Sequence, residues 1–516
     1  MNRKLSMVLT TGLILSVLIG TTVFAQVTYD DPWFTSYQIA NLGSSAATIQ
    51  VDYYDATGVS DAAMSRSFPG VPAGGSVTVQ QALETTLDDG VWSAVVSSDQ
   101  PIAAVGNQQL GQSGNASSIP PFSSYSGVSE GATEIIVPSV MHNWFGYYTE
   151  ITIQNVGAAD ATDVDIEYFP TTYAGCLAGA TGESDLNMAI PQYASHTESQ
   201  ADKTALGASG LTGDCAAFNG RFLGSAKITA DQPVAVVVNE HTQGKLFTYN
   251  GFAEGATELL LPAYMRNYYG YYAAVVVANP GTVEATAEFT YVNGPLGTSP
   301  AGEDVVVEEH TIPAGESITV YDGPTDTISD LALAGYDWGS SYQFFGTLSI
   351  SSDEPVVAMV NQEAEASKGA QAGTYNGMGT ATGSSMVSVP LIQSDFYGYY
   401  TSLTIMTVDG GEATVEITYT SDDTYSSVPG NSETYTHSTT DGFLNRYEGP
   451  TASAALSDLL DDAAWEDAGG NGRFIGSAMI EVTSGSDIVA FVNSESQTAE
   501  GASSTDSMYT YNAFNQ

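Results

Sequence analysis

Asp99-Gln-Pro-Ile-Ala-Ala-Val-Gly-Asn107 returns as Asp231-Gln-Pro-Val-Ala-Val-Val-Val-Asn239 and again as Asp353-Glu-Pro-Val-Val-Ala-Met-Val-Asn361. A shorter version stands at Ser486-Asp-Ile-Val-Ala-Phe-Val-Asn493, and the closing asparagines are 132, 122 and 132 residues apart. A second marker keeps the same order: Gly146-Tyr-Tyr148, Gly270-Tyr-Tyr272 and Gly398-Tyr-Tyr400, matched by Trp33-Phe34 in the first copy. Two independent markers sharing one order and one period mark internal duplication. The chain reads as four copies of one unit, at 26–131, 132–254, 255–382 and 383–516.

Within a copy the hydrophobic period is two. Val164, Ile166 and Tyr168 alternate with Asp163, Asp165 and Glu167, and Val415, Ile417 and Tyr419 alternate with Thr414, Glu416 and Thr418. Such strands bury one face and wet the other, as in antiparallel sheets packed on one side. Asn41-Leu-Gly43, Asn155-Val-Gly157 and Asn279-Pro-Gly281 lie between two alternating runs and predict hairpin turns; Thr407-Val-Asp-Gly-Gly411 predicts a longer one. About seven short strands per copy predict an all-β chain of two-sheet sandwiches. A short helix is expected in each, best seen over 453–462.

The Ile-x-Asn-x-Gly turn, the alternating strand ending in Tyr, and the later Pro72-Ala-Gly-Gly-Ser76 and Pro313-Ala-Gly-Glu-Ser317 resemble the immunoglobulin-like repeats of secreted bacterial or archaeal cell-surface proteins. The resemblance spans nearly all of 26–516. It implies four tandem immunoglobulin-like antiparallel β-sandwich domains serving as a scaffold, and it names no ligand. Short connectors such as Tyr249 to Glu258 predict repeats that touch. The expected shape is an extended, semi-rigid array somewhat over ~130 Å long, from strands of about ten residues at ~3.3 Å each.

The first 25 residues carry Arg3 and Lys4, an apolar stretch from Leu5 to Val23, and Val23-Phe24-Ala25 before Gln26. This is the pattern of a secretory signal peptide, so a secreted, cell-surface location without membrane insertion is expected. Formal net charge is −48, with 59 acidic against 11 basic residues. That balance excludes nucleic acid and anionic membranes, which both need Lys and Arg. In an exported chain the only two cysteines, Cys176 and Cys215, are expected to form a disulfide.

No catalytic constellation stands out, so no enzyme is expected. The five histidines show no metal-binding spacing. Ser129 in Gly127-Val-Ser-Glu-Gly131 is replaced by alanine in the next connector, Gly251-Phe-Ala-Glu-Gly255. No cofactor is expected beyond Ca²⁺, for which the acidic pairs Asp88-Asp89, Asp422-Asp423 and Asp461-Asp462 are candidate loop ligands.

The strongest functional candidate is aromatic. Trp144, Phe145, Tyr147 and Tyr148 flank Gly146; Tyr268, Tyr269, Tyr271 and Tyr272 flank Gly270; Phe396, Tyr397, Tyr399 and Tyr400 flank Gly398; the first copy keeps Trp33 and Phe34. Such rings either stack on sugars or seal one repeat against the next. The expected role is structural or adhesive, through other copies of the chain or cell-surface components, with an array of glycan contacts as the alternative. Repeat one also begins with only Gln26 to Tyr29 where the others have a full first strand, which predicts an open sheet edge.

Overall fold

The computed structural model describes residues 6–7, 10–11, 14–17, 33–81, 87–88, 90–110, 121–171, 184–202, 222–242, 244–299, 304–321, 342–364, 371–422, 425–449, 456–459, 464–466, 472–496 and 508–516. These residues are almost entirely strand, in several mainly antiparallel sheets that form separate units. No α-helix occurs among them. Of the expected helix at 453–462, Leu456 to Leu459 are described, and they form turns and bends. The reason is local: the Asp458 and Leu459 N–H groups and the Ser457 hydroxyl all donate to the Glu448 carboxylate, pinning the segment to a strand end.

Repeat four shows the plan most fully. One sheet runs Ser432–Ser438, Ala413–Ser421, Phe474–Gly485, Met386–Ser394, Phe514–Asn515; the other runs Phe443–Tyr447, Tyr399–Thr407, Ile488–Ser496, Met508–Asn512. Val415, Ile417 and Ile480 of the first sheet share a core with Leu403, Ile405 and Val492 of the second. Burying each such side chain contributes roughly 1.5–3 kcal/mol. In repeat one the same order appears as Arg66–Val71, Ala47–Tyr54, Val91–Ser98 and as Ser76–Gln80, Trp33–Asn41, Ile102–Leu110, Phe122–Ser126.

The repeated Asp-Gln-Pro segment is a corner. In repeats two and three a single strand, Phe222–Thr242 or Phe344–Ala364, pairs within both groups of strands and passes between them at this segment. Its leading aspartate accepts the N–H of a neighbouring strand: Thr48 N to Asp99 at 2.7 Å, Thr162 N to Asp231 at 3.0 Å, Thr286 N to Asp353 at 2.7 Å. The hairpin asparagines are equally specific. Asn41, Asn155 and Asn279 are fully buried, and each accepts the N–H of the glycine two residues on at 2.9 Å. Each also donates to a carbonyl across the sheet, that of Val71, Ile190 or Ile312. A buried amide so saturated fixes the turn, because leaving those groups unpaired costs roughly 1–3 kcal/mol each.

The repeats do not string out. Each ends in a hub strand (Phe122–Ser126, Lys245–Asn250, Ala372–Asn376, Met508–Asn512), and each hub strand lies against those of both neighbours in the cycle. Asn250 donates its amide to the Ser126 carbonyl at 2.9 Å, Asn376 to that of Asn250 at 2.7 Å, and Asn512 to that of Asn376 at 2.6 Å. In return the backbone N–H of Ser126, Asn250 and Asn376 donates to the next asparagine's Oδ1 at 3.2, 3.3 and 3.0 Å. The Ser126 hydroxyl then donates to the Asn512 carbonyl at 2.9 Å and closes the circle. One relation applied at every step is a rotation, so the four repeats form a closed pseudo-fourfold ring.

Side-chain packing follows the same cycle. Val237 and Leu246 join the core of repeat one, Val276 and Met359 that of repeat two, Phe443 and Phe491 that of repeat three, and Val105 that of repeat four. The extended array expected from the short connectors is therefore corrected: repeats one and four touch as closely as chain neighbours. The chain end is also occupied, since Asn515 and Phe514 pair with Val387 and Ser388 of their own repeat. In repeat one, Ser16 and Val17 pair antiparallel with Val95 and Ala94, the register in which Ile136 and Val137 meet Lys227 and Ala226.

The expected Cys176–Cys215 disulfide is also corrected: among the described residues there is no disulfide bond. Both cysteines lie outside the described residues. The described core of repeat two is built around Ile151, Ile166, Ile228 and Val236.

One buried charge departs from the pattern. Glu240 stands where repeats one and three carry Gln108 and Gln362, and it is wholly buried at the junction with repeat three. Neither carboxylate oxygen makes a complete hydrogen bond. Burial raises its pKa to about 7 from 4.5, with Ser139 and Asn361 offsetting part of the rise. A raised carboxyl pKa leaves stability intact below the unfolded value and removes it as pH climbs through the folded value. Glu240→Gln should therefore stabilise the protein at pH 8 by roughly 3 kcal/mol more than at pH 4, measured by chemical denaturation at both. An equal effect at both pH values would show that Glu240 is not ionising against burial.

Candidate functional site

The aromatic motifs sit where the first strand of a repeat turns into the next. Tyr268 bridges Tyr271 and Phe396 bridges Tyr399, leaving Tyr269-Gly270 and Tyr397-Gly398 as the two turn residues; Trp144 pairs with Tyr147 around Phe145-Gly146. Both turn residues have positive φ: Phe145 49° and Gly146 87°, Tyr269 50° and Gly270 86°, Tyr397 52° and Gly398 78°. This is a primed hairpin turn, whose first position ordinarily takes Asn, Asp or Gly. A bulky ring there costs on the order of 1 kcal/mol. The same strained choice recurs three times.

Each motif divides its rings between two tasks. The turn rings lie outside: Phe145, Tyr269 and Tyr397 are 58%, 63% and 62% exposed. Each meets the ring before it edge-on: Trp144–Phe145 at 5.3 Å, Tyr268–Tyr269 at 4.9 Å, Phe396–Tyr397 at 4.7 Å between centroids. The inner ring is anchored, as Phe396 is by burial and Tyr268 by Phe345 at 4.7 Å. The rings after the glycine pack inward instead, at two motifs against a neighbouring repeat. Tyr271 donates to Glu495 of repeat four at 2.9 Å, Tyr399 packs on Phe122 of repeat one, and Tyr147 packs on Phe247 of its own hub strand. Tyr272 and Tyr400 are buried, while Tyr148 is half-buried and meets His142 edge-on at 5.5 Å. The three exposed tips occupy equivalent positions in their repeats.

Repeat one departs from this arrangement. Trp33 is buried in its core, and Phe34 is half-buried. Phe34 instead lines a cavity of about 230 Å³ between repeats one and four, together with Phe396, Tyr397 and Tyr399 of the fourth motif. The structure thus brings the first and fourth motifs together and leaves Phe145 and Tyr269 as separate tips. Arg473 lies over the Tyr397 ring at 5.5 Å. The amide side chains that line this cavity, Gln38, Gln80, Gln109, Gln393 and Asn107, were not among the sequence candidates.

The acidic candidates fall differently. Asp88 is exposed, whereas Asp422 is buried, accepts the Tyr425 N–H at 3.0 Å and receives the Thr78 hydroxyl of repeat one at 3.2 Å. Asp422 thereby acts as a latch across the closing junction. Asp89, Asp423, Asp461 and Asp462 lie outside the described residues. Among the described residues no group of three metal-ligating side chains occurs, and no helix is long and apolar enough to cross a membrane.

No family model and no curated protein matches this chain. Among solved structures it is similar to Thermotoga maritima 1070, at 17% identity over 24% of this chain and 94% of that one, with a TM-score of 0.18.

The turn geometry makes a direct prediction. Tyr269→Asn should raise stability by about 1 kcal/mol, because Asn tolerates the left-handed region that the tyrosine occupies under strain. Chemical denaturation of the variant checks this. A loss of stability would mean that the exposed ring is a structural contact.

Proposed function

We propose that this is a secreted, non-catalytic adhesive protein of a prokaryotic cell surface or matrix, which grips neutral glycans through the exposed aromatic tips of its repeats. The finer fold reading, four immunoglobulin-like sandwiches, belongs to this proposal and is supported by the strand order that recurs from repeat one to repeat four. The observation that carries the function is the strained, exposed ring at Phe145, Tyr269 and Tyr397. Strain maintained at three equivalent turns favours a ligand contact over packing, since packing is already supplied by the rings on either side. Exposed flat faces at equivalent turns of three repeats suit sugar stacking, and several weak contacts on one polymer gain by avidity. A net charge of −48 favours neutral over acidic polysaccharides.

Self-association is the second reading, and one observation favours it. The edge of Val91–Ser98 is paired by residues 14–17, which the sequence assigns to a removable leader. Cleavage would free an edge able to pair with a second copy.

One preparation of residues 26–516 tests both. On the glycan reading it is retained by cellulose or chitin, and Phe145→Ala/Tyr269→Ala/Tyr397→Ala abolishes retention without altering the melting temperature by more than a few degrees. Unchanged retention in that variant, or none in the parent, would sink the reading. Light scattering on the same sample separates a monomer, which removes the second reading, from a dimer or larger assembly.

A further inference from the structure

The four junctions of the ring are built from equivalent positions, and the one between repeats four and one differs in a particular way. Its cavity is walled by Phe34, Phe122, Phe396, Tyr397, Tyr399 and Tyr509, with amides and hydroxyls between them. At two other junctions the corresponding space is filled. Tyr321 donates to Glu363 at 2.9 Å, and Lys245 of repeat two pairs with that same carboxylate at 2.5 Å. Tyr447 donates to Glu495 at 2.6 Å, and Tyr271 of repeat three reaches it as well.

Strand register identifies what stands in those places in repeat one. Gln80 faces Ser36 as Tyr321 faces Ala274 and Tyr447 faces Ser402. Gln109 faces Phe34 as Glu363 faces Tyr272 and Glu495 faces Tyr400. The tyrosine–glutamate pair of those two junctions is thus replaced by two glutamines in repeat one, where repeat two carries Ser199 and His241. The shorter Gln80 opens the space, and Gln109 removes the charge. Every side chain lining the cavity is uncharged, in a chain with 59 acidic residues.

A buried amide also lines the site. Gln38, at the cavity wall, is 1% exposed; its amide nitrogen donates to Ser76 at 2.7 Å and to the Gly476 carbonyl at 3.0 Å, while its Oε1 has no hydrogen-bond partner among the described residues. A buried acceptor left without a donor costs roughly 1–3 kcal/mol.

We propose that this junction is a single binding site for a neutral, hydroxyl-rich ring, one pyranose unit, free or at the end of a glycan. Aromatic walls take the C–H faces of such a ring, and the glutamines and Asn107 serve as both donors and acceptors for its hydroxyls. An uncharged lining selects against uronic acids and amino sugars with a free ammonium. The site rests on the glycan reading above and deepens it: the tips hold a polymer, and the junction recognises one residue of it. Tyr397, exposed and lining the cavity, belongs to both.

The test is calorimetric titration of the intact ring, residues 26–516, with glucose, galactose and N-acetylglucosamine, and with glucuronate as the charged control. At least one neutral sugar should bind one to one, and glucuronate should not. Gln80→Tyr, which installs the residue of repeats three and four, and Gln109→Glu should each weaken binding at least about tenfold, with circular dichroism and melting temperature unchanged. Phe145→Ala/Tyr269→Ala should leave sugar titration untouched while reducing retention on cellulose or chitin. Absence of binding by all three neutral sugars, or binding indifferent to both glutamine variants, would overturn the site. Tip-dependent retention without sugar titration would overturn the site and leave the tip reading standing; Gln80-sensitive titration without tip-dependent retention would do the reverse.

Discussion

Four hub strands meeting at an axis, each asparagine amide donating to the carbonyl of the strand before it, is the contact on which everything else depends. A polar side chain at such a crossing must be fully paired, because burying an amide or carbonyl without a partner costs more than the bond itself returns. Asn250, Asn376 and Asn512 meet that requirement by both accepting and donating. Ser126 is the exception, since it is too short to reach back as an amide does. Its hydroxyl makes the last bond, to Asn512. The ring is thus closed by its one unlike member, and repeat one is also where the other irregularities gather.

Those irregularities form a set. Repeat one borrows residues 14–17 for the strand that the other repeats own. Tyr249, Tyr375 and Tyr511 donate to the carbonyls of Ser139, Ala263 and Leu391 on their own first strands. Tyr125 has no such bond among the described residues. The junction with repeat four is unplugged, through Gln80 and Gln109. A closed ring of identical units has no distinguished position. A duplicated chain has one, where its two ends meet, and here that position carries the cavity.

How much of this was written in the sequence varies with the range of the interaction. Alternation at Val415, Ile417 and Tyr419 is local, and the strand it predicts carries those three side chains into the core. Asn41, Asn155 and Asn279 marked their turns for an equally local reason, an amide that reaches its own backbone two residues on. The Asp-Gln-Pro segment was legible as punctuation but not as a corner, because passing between sheets is a tertiary event. Asn107, Asn239 and Asn361, which close that segment, accept the hydroxyls of Ser124, Thr248 and Thr374 on the hub strands, a tertiary contact with no local mark. The ring itself left no local signal: one asparagine per repeat, spaced far apart, does not announce that the four meet. The aromatic motifs were visible, yet their division into sealing rings and exposed tips depends on φ at the turn. The cavity has a signal in the sequence only once strand register aligns the repeats: Gln80 and Gln109 stand for the Tyr–Glu pair of repeats three and four.

Small-angle X-ray scattering of residues 26–516 tests ring closure most directly. A closed, compact ring of this length predicts a radius of gyration of about 23–25 Å and a Guinier region independent of concentration. An extended array of the same repeats, roughly 130 Å long by strand rise, would give a radius near ~38 Å and a rod-like distance distribution. The larger value would contradict the asparagine hub and, with it, the cavity between repeats four and one.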